Sequence, residues 1–419
     1  MKNPTKWSSF IALLAALSLN AMADEYTNAR VELVAAYRAQ DYPAMVVAAN
    51  KSLDARPEYP GALFNLAFAL ALNGAPEDSL ETLQRLLAKG IDYGVVDLDE
   101  FAAVRELDGW EAYATGLAAL YEPIGRATVA LQLDEDRFVP EGIAIGKDGT
   151  FYLGSIHRGQ LLRAGDKTEI LSDRAGHWSV FGMRFDQDGS LWFASAAVPQ
   201  LANAGDNVGQ SGLFRIDSET GEVTRAVVLP QADDDQVLGD LTIKDHSIYT
   251  TDSLTGALYR YDIEVDKYET LVEPGTFGSP QGLVVNQTGE YLYVADYIGG
   301  LYRVSVSDGS RERLRVPDAI SDHGIDGLYR HDDKLIAIQN GIRPHRVVVF
   351  TLSDNGLAIT GSRILAANLP EFDEPTLGVV RGDEFFFVAN SHWNRFDAEN
   401  LLPDGLTGPI ILKVSLTSQ

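Results

Sequence analysis

Apolar positions along the chain change their period near residue 125. From Glu25 to about Leu120 they recur at helical spacing. In PGALFNLAFALALNG, Pro60 opens the segment, Leu63, Leu66, Leu70 and Leu72 supply the apolar side, and Gly74 closes it. In APEDSLETLQRLLAKG the acids Glu77 and Asp78 fall in the first turn, Leu80, Leu83, Leu86 and Leu87 make one face, and Gly90 stands at the C-cap. Aligning DYPAMVVAANKSLDARP on that second segment puts Met45 on Leu80 and Ala48 on Leu83, a period close to that of a helix-turn-helix repeat.

Beyond Gly125 the pattern becomes short alternating segments broken by Gly, Asp, Asn and Ser. One unit recurs: a strand ending in a small or acidic residue, a turn, then a strand ending in Arg or Lys. It is seen in FYLGSIHRGQLLR, IYTTDSLTGALYRYD and LYVADYIGGLYRVS, and six such units follow one another. Each is preceded by a strand containing Gly or Asp: PEGIAI, VFGMRF, LGDLTI, PQGLVV, GIDGLYR and TLGVVR. Units of roughly 40 to 50 residues fit the four-stranded blades of a β-propeller. A sandwich or an up-and-down barrel accounts for the alternation but not for six units with one internal order. The fold expected is an all-β six-bladed β-propeller over residues 125–419, preceded by a small α-helical domain over 24–124. RATVALQL, residues 126–133, is placed to complete the last blade and close the ring, which removes exposed edges.

The first residues change where the protein is expected to work. Lys2 and Lys6, an apolar run from Phe10 to Leu19 and Ala21-Met22-Ala23 before Asp24 read as a secretory signal peptide over residues 1–23. The run is short for a membrane span, so the mature chain is expected to be exported, periplasmic or secreted, with no membrane span after cleavage. There is no Cys, which excludes disulfides, thiolate metal sites and a cysteine nucleophile and leaves stability to the core. The net charge of -26 makes nucleic acid a poor partner and cations natural ones. It is equally the acidic surface that keeps an exported protein soluble.

In a propeller the innermost strands run along the axis, so their first residues meet at the mouth of the channel. Aligned on their glycines, these are Glu141, Phe181, Gly239 with Asp240, Gln281, Asp326, and Leu377 with Thr376. Carboxylates from Glu141, Asp326 and Asp240 with the Gln281 amide form the oxygen set that a hard cation such as Ca2+ prefers. Each residue alone also reads as turn chemistry, Asp326-Gly327 above all.

These residues carry a family resemblance. The PEG of Pro140 to Gly142 with DGTFYLGS behind it, LTIKDHSIYTTDSLTGALYRYD, PQGLVVNQTGEYLYVADY and the DGL of Asp326 to Leu328 resemble the senescence marker protein/gluconolactonase family. The resemblance runs from about Phe138 to Ser415. It implies a six-bladed propeller with one divalent metal near the axis and hydrolysis of lactones or related esters. The family's glutamate and late aspartate ligands fall on Glu141 and Asp326. Its middle ligands are asparagines, where this chain has Gln281 and Gly239 followed by Asp240. The helical segment is similar in pattern to tetratricopeptide repeats, which implies a protein or peptide partner there.

Two functional readings stand at this point. In one, a divalent metal, Ca2+ foremost, is held by Glu141, Gln281, Asp326 and Asp240 and polarises the carbonyl of a small-molecule lactone or ester, with Asp326 as general base and Glu141 and His323 as its catalytic company. His157 and His177 rank behind His323, which precedes Asp326 by three residues. In the other, the propeller binds a ligand or partner without chemistry. A Ser-His-Asp mechanism lacks its G-x-S-x-G elbow. Trp178, Phe181, Asn340, Asn390 and Trp393 are the expected substrate contacts, with His392, Phe396 and Gln339 near them.

Overall fold

The computed structural model describes residues 25–173, 176–230 and 234–417; the expected leader lies outside them. Helices span Glu25–Ala39, Tyr42–Ala55, Pro60–Leu72, Pro76–Ala88 and Trp110–Leu120. The three beginning at Tyr42, Pro60 and Pro76 carry Pro in their first turn, where the missing N–H has no intrahelical partner to lose. Gly74 and Gly90 follow their helices at φ 75° and 67°, the left-handed exit that glycine adopts without strain. Pro60–Leu72 is enclosed on nearly all sides by its neighbours. Leu63, Phe64, Leu66, Ala67, Phe68 and Ala69 are buried. Leu70 and Leu72, expected on its apolar side, are only half-buried, because a helix this apolar has no single buried stripe.

Six antiparallel four-stranded sheets follow, five of them built in chain order from the axis outward. Their inner strands are Pro140–Ile145, Ser179–Phe185, Leu238–Lys244, Pro280–Val285, Ile325–His331 and Gly378–Arg381. The architecture is the expected six-bladed propeller. The last sheet contains Glu384–Val388 and Ile410–Ser415 and takes its outer strand, Thr128–Gln132, from before the first blade. Thr128 pairs with Lys413 and Gln132 with Ile410, so the two ends of the ring are joined by a backbone ladder.

The inner strands share a local irregularity. Their register with the second strand slips between Pro140 and Ile143, Val180 and Met183, Leu238 and Leu241, Pro280 and Leu283, and Ile325 and Leu328. The residues lifted out of the ladder are Glu141-Gly142, Phe181-Gly182, Gly239-Asp240, Gln281-Gly282 and Asp326-Gly327. A bulge breaks the strict alternation of a strand and re-aims a side chain. The bulge therefore turns one residue of each of these blades toward the axis.

The helices dock on the loops at the same end as these bulges. Arg346 is buried and donates to Gln339 Oε1 at 2.7 Å, to the Gly90 carbonyl at 3.0 Å and to the Lys89 carbonyl at 3.3 Å. The Asp92 amide donates to the Arg343 carbonyl at 2.8 Å, and Ile342 belongs to the helical core. Among the described residues no helix is long and apolar enough to cross a membrane.

Arg346→Met leaves three buried carbonyl oxygens short of a donor, at about 1 to 3 kcal/mol each when unsatisfied. It should lower the unfolding free energy in urea by about 3 kcal/mol or more. A loss within about 0.5 kcal/mol, the size of an ordinary surface change, would mean that the helices do not depend on this contact.

Candidate functional site

A cavity of about 420 Å³ opens at the bulge end of the channel. Glu141, Phe181, Gly239, Asp240, Gln281, Asp326 and Leu377 all line it. Glycine next to a presented residue is a packing requirement. A Cβ on Gly142 would collide with the Phe181 carbonyl, one on Gly182 with Asp240, and one on Gly282 with the backbone of Asp326 and Leu328. Inner strands of neighbouring blades approach too closely there for any side chain. The third blade departs from this rule, since Asp240 occupies the position that is glycine elsewhere. Its carboxylate lies against Gly182 and reaches Arg184 at 3.5 Å, which ties it to the neighbouring blade.

Loops add four side chains. Trp393 Nε1 donates to Glu141 Oε2 at 2.7 Å, and Asn340 Nδ2 donates to Asp326 Oδ2 at 2.7 Å. Tyr297 hydroxyl in turn donates to Asn340 Oδ1 at 3.0 Å, making a Tyr-Asn-Asp chain that fixes the Asp326 carboxyl. Glu374 lines the cavity from the segment before the sixth inner strand, with its backbone at φ 64°. The Asn394 amide donates to its Oε2 at 2.8 Å. Gln281 Nε2 donates to Ser279 Oγ at 3.0 Å, and its Oε1 faces Gly239.

Tyr297 and Glu374 escaped the sequence reading. Tyr297 follows LYVAD directly, and Glu374 sits in the acidic EFDEPTLG run, three residues ahead of the aligned Leu377. An acid just before an inner strand was the available signal.

Other expected site residues stand elsewhere. His323 lines a second cavity, of about 530 Å³, between helices and propeller. There its ring packs on Tyr59 at 5.4 Å and lies 3.4 Å from Asp322. His323 precedes the inner strand, which begins at Ile325, and Gly324 between them, at φ 65°, turns the chain so that His323 faces the helices. Asn390 is buried in its own blade, accepting from the Ile410 amide at 2.7 Å and donating to the Gly408 carbonyl at 2.9 Å. Trp178 packs edge-on against Phe214, and neither it nor Asn390 lines the axial cavity. His177 is bonded to Ser172 at 2.9 Å, and His157 to the Gln200 carbonyl at 2.8 Å. Phe396 touches His157 and Trp393, His392 pairs with Asp373, and Gln339 is engaged by Arg346.

The electrostatics of the axial cavity are one-sided. Glu141, Asp235, Asp240, Asp326 and Glu374 face it, and its described lining contains no Lys, Arg or His. Burial and then the Asp326 charge push the Glu141 carboxyl well above the usual range, against the Trp393 donor. Burial, with Glu374 and Asp240 adding to it and Asn340 opposing, pushes Asp326 up to about 7. Glu374 and Asp240 are raised too, by burial first, with the Asn394 amide and Arg184 respectively pulling them down.

Oxygen-only donors with surplus negative charge suit a hard cation in chemistry. No three His, Cys, Asp or Glu side chains among the described residues converge into a metal cage. A cation beside Glu141 and Asp326 therefore depends on amide oxygen, for which Gln281 Oε1 is oriented, and on water.

No family model and no curated protein matches the chain. Among solved structures it is similar to the PQQ-bound aldose sugar dehydrogenase of Streptomyces coelicolor. The two are 12% identical, the match covers 70% of this chain and 99% of that one, and the TM-score is 0.48. It is also similar to virginiamycin B lyase from Staphylococcus aureus, at 13% identity, 69% and 99% coverage and a TM-score of 0.44. At such identities the likeness concerns the fold.

The raised carboxyls have a measurable consequence. Asp326 is ionised in the unfolded chain above about pH 4 but in the folded chain only above about 7, so stability falls as pH rises from about 4 to about 7 and the full loss stands above 7. Asp326→Asn keeps an acceptor for Asn340 and removes the charge. In chelator it should stabilise the protein by about 1 to 3 kcal/mol at pH 8 and by much less at pH 5, read by urea unfolding. A variant no more stable than wild type at pH 8 contradicts the charge frustration.

Proposed function

We propose that the axial cavity hydrolyses lactones or related esters with the help of a divalent cation, Ca2+ foremost, in the exported compartment. The observation that carries this reading is the buried Glu141 and the half-buried Asp326 facing one cavity, with amides beside them and no basic side chain in its described lining. The motifs around these two residues are those in which the chain resembles the senescence marker protein/gluconolactonase family.

Glu141, Gln281 and Asp326 would hold the cation, with Asp240 behind them on Arg184. When bound, it supplies a Lewis acid that polarises a carbonyl and offsets the charge of the oxyanion. The remaining chemistry falls to the chain. Trp393 holds one Glu141 oxygen, so that the other faces the cavity. Asn340 engages Asp326 Oδ2, and the Asp326 carboxylate would take the proton of the attacking water and return it to the alkoxide released when the acyl C–O bond breaks. Phe181 and Trp393, with ring centroids 6.4 Å apart, give the substrate an apolar face and exclude bulk water. Tyr297, through Asn340, positions the base without touching the reacting atoms.

A second reading is favoured by the absence of a ready three-acid cage among the described residues. The propeller would then bind a ligand without turning it over, and its helices would meet a protein or peptide partner.

Hydrolysis of lactones and aryl esters should fall on the order of 10²-fold or more when chelator removes the cation, return with Ca2+, and fall on the same order in Asp326→Ala. Calorimetry with Ca2+ gives the second readout. Cation binding without turnover would favour the binding reading, and hydrolysis indifferent to both chelator and Asp326→Ala would overturn the mechanism.

A further inference from the structure

The two sides of the axial cavity differ in chemistry. Most acids and amides come from the first, third, fourth and fifth blades and from Glu374, whereas the wall at the second and third blades is mainly aliphatic, with Asp235 as its one acid. Its source is a long connection. The strands Leu191–Ala196 and Ser211–Ile216 are joined by residues 197–210, where the first, third and fourth blades use short turns. Such a long loop in a compact domain usually carries a function of its own. This one brings Val198, Pro199 and Val208 to the cavity, and Leu254 joins them from the turn of the third blade.

Two of these side chains are unusual in being left open. Val208 is 37% and Leu254 43% exposed, and both line the cavity. Exposed aliphatic side chains scattered singly need no explanation, but grouped at a pocket mouth they mark a binding surface. The loop is also anchored. Gln200 Nε2 donates to Asn400 Oδ1 at 2.9 Å, and the Ala202 amide donates to the His157 carbonyl at 2.9 Å. Asn400 lies on the long connection of the sixth blade that also supplies Trp393.

We infer that this wall takes an aliphatic chain, so that the axial site acts on lactones or esters bearing a medium-length alkyl or acyl chain and not on polyhydroxylated sugar lactones. The wall itself stands on geometry; its link to turnover rests on the hydrolytic reading above. A sugar lactone presents several hydroxyls, each needing a partner once it leaves water. On this wall the described partners are Gln200, Ser253 and Asp235. An alkyl chain needs only apolar area. The cavity's 420 Å³ holds on the order of a dozen non-hydrogen atoms at ~30 Å³ each, room for a lactone ring and a short chain.

The test is a series of δ-lactones, δ-valerolactone, δ-octalactone and δ-undecalactone, against glucono-δ-lactone, with Ca2+ present. Calorimetry of the δ-lactams with the same side chains supplies a readout without turnover. For wild type, kcat/KM and lactam affinity should both rise roughly fourfold per methylene over the first few carbons. Leu254→Asp and Val208→Asp, at exposed positions, should cut the ratio between long and short lactone at least tenfold, with the thermal midpoint confirming the fold. Lactam affinity that rises with chain length and is lost in the variants, without turnover of any lactone, would uphold the wall and remove the hydrolytic reading. Turnover or binding indifferent to chain length, or a preference for glucono-δ-lactone, would overturn the inference.

Discussion

Close approach of the inner strands at the propeller axis governs the rest of the molecule. Side chains at Gly142, Gly182 and Gly282 would meet neighbouring backbone or Asp240, so the position after each presented residue is kept bare. The strand accommodates this with a bulge, and the bulge sends the preceding side chain inward. Ring closure through Thr128–Gln132 and Ile410–Ser415 keeps the strands at that spacing. The site is therefore built by backbone crowding. Glu141, Gln281 and Asp326 are held near one another by packing, against their mutual electrostatics.

The contrast with other acids in the same chain sharpens this point. Asp322 is buried, which pushes its carboxyl up, but the Arg313 guanidinium at 2.6 Å more than offsets burial and holds it below the usual range. Asp373 is held well below that range by His392 and, against its burial, by Arg395. Asp322 and Asp373 thus have cationic partners. Glu141 and Asp326 have only neutral donors, Trp393 and Asn340, which fix their orientation without neutralising them. Buried charge without a counter-charge is costly, and it persists where function requires it.

The fold was legible because its signals are local and repeated. Strand period, turn residues and a glycine beside each axial position recur six times, so errors in any one unit are averaged out. The axial residues were legible for the same reason: outside the third blade, where Asp240 takes that position, each is followed by a glycine. Glu374, Tyr297 and Asn340 arrive from loops. Of these, only Asn340 was anticipated, as a strand end near the ring, and its bond to Asp326 depends on a fold in three dimensions. His323 was misplaced by sequence proximity, since it lies before the strand that begins at Ile325, beyond the left-handed Gly324. Trp178 and Trp393 looked alike as aromatics beside polar residues. One fills its own blade against Phe214 and the other reaches Glu141 across the ring, a distinction set by the long connection that carries Trp393.

The helices complete the asymmetry of the mouth. They are fastened to the loops of the fifth blade through Arg346 and Asp92, next to Asn340 and on the end of the propeller where the cavity opens. Tyr59, from the helical segment, packs on His323, and Tyr297, one loop away, holds Asn340. On this side the mouth is bounded by a domain with its own core. On the other it is bounded by two long connections joined at Gln200 and Asn400 and ending in open aliphatic side chains. The loop side of the mouth thus carries most of the apolar lining of the cavity that Glu141 and Asp326 face.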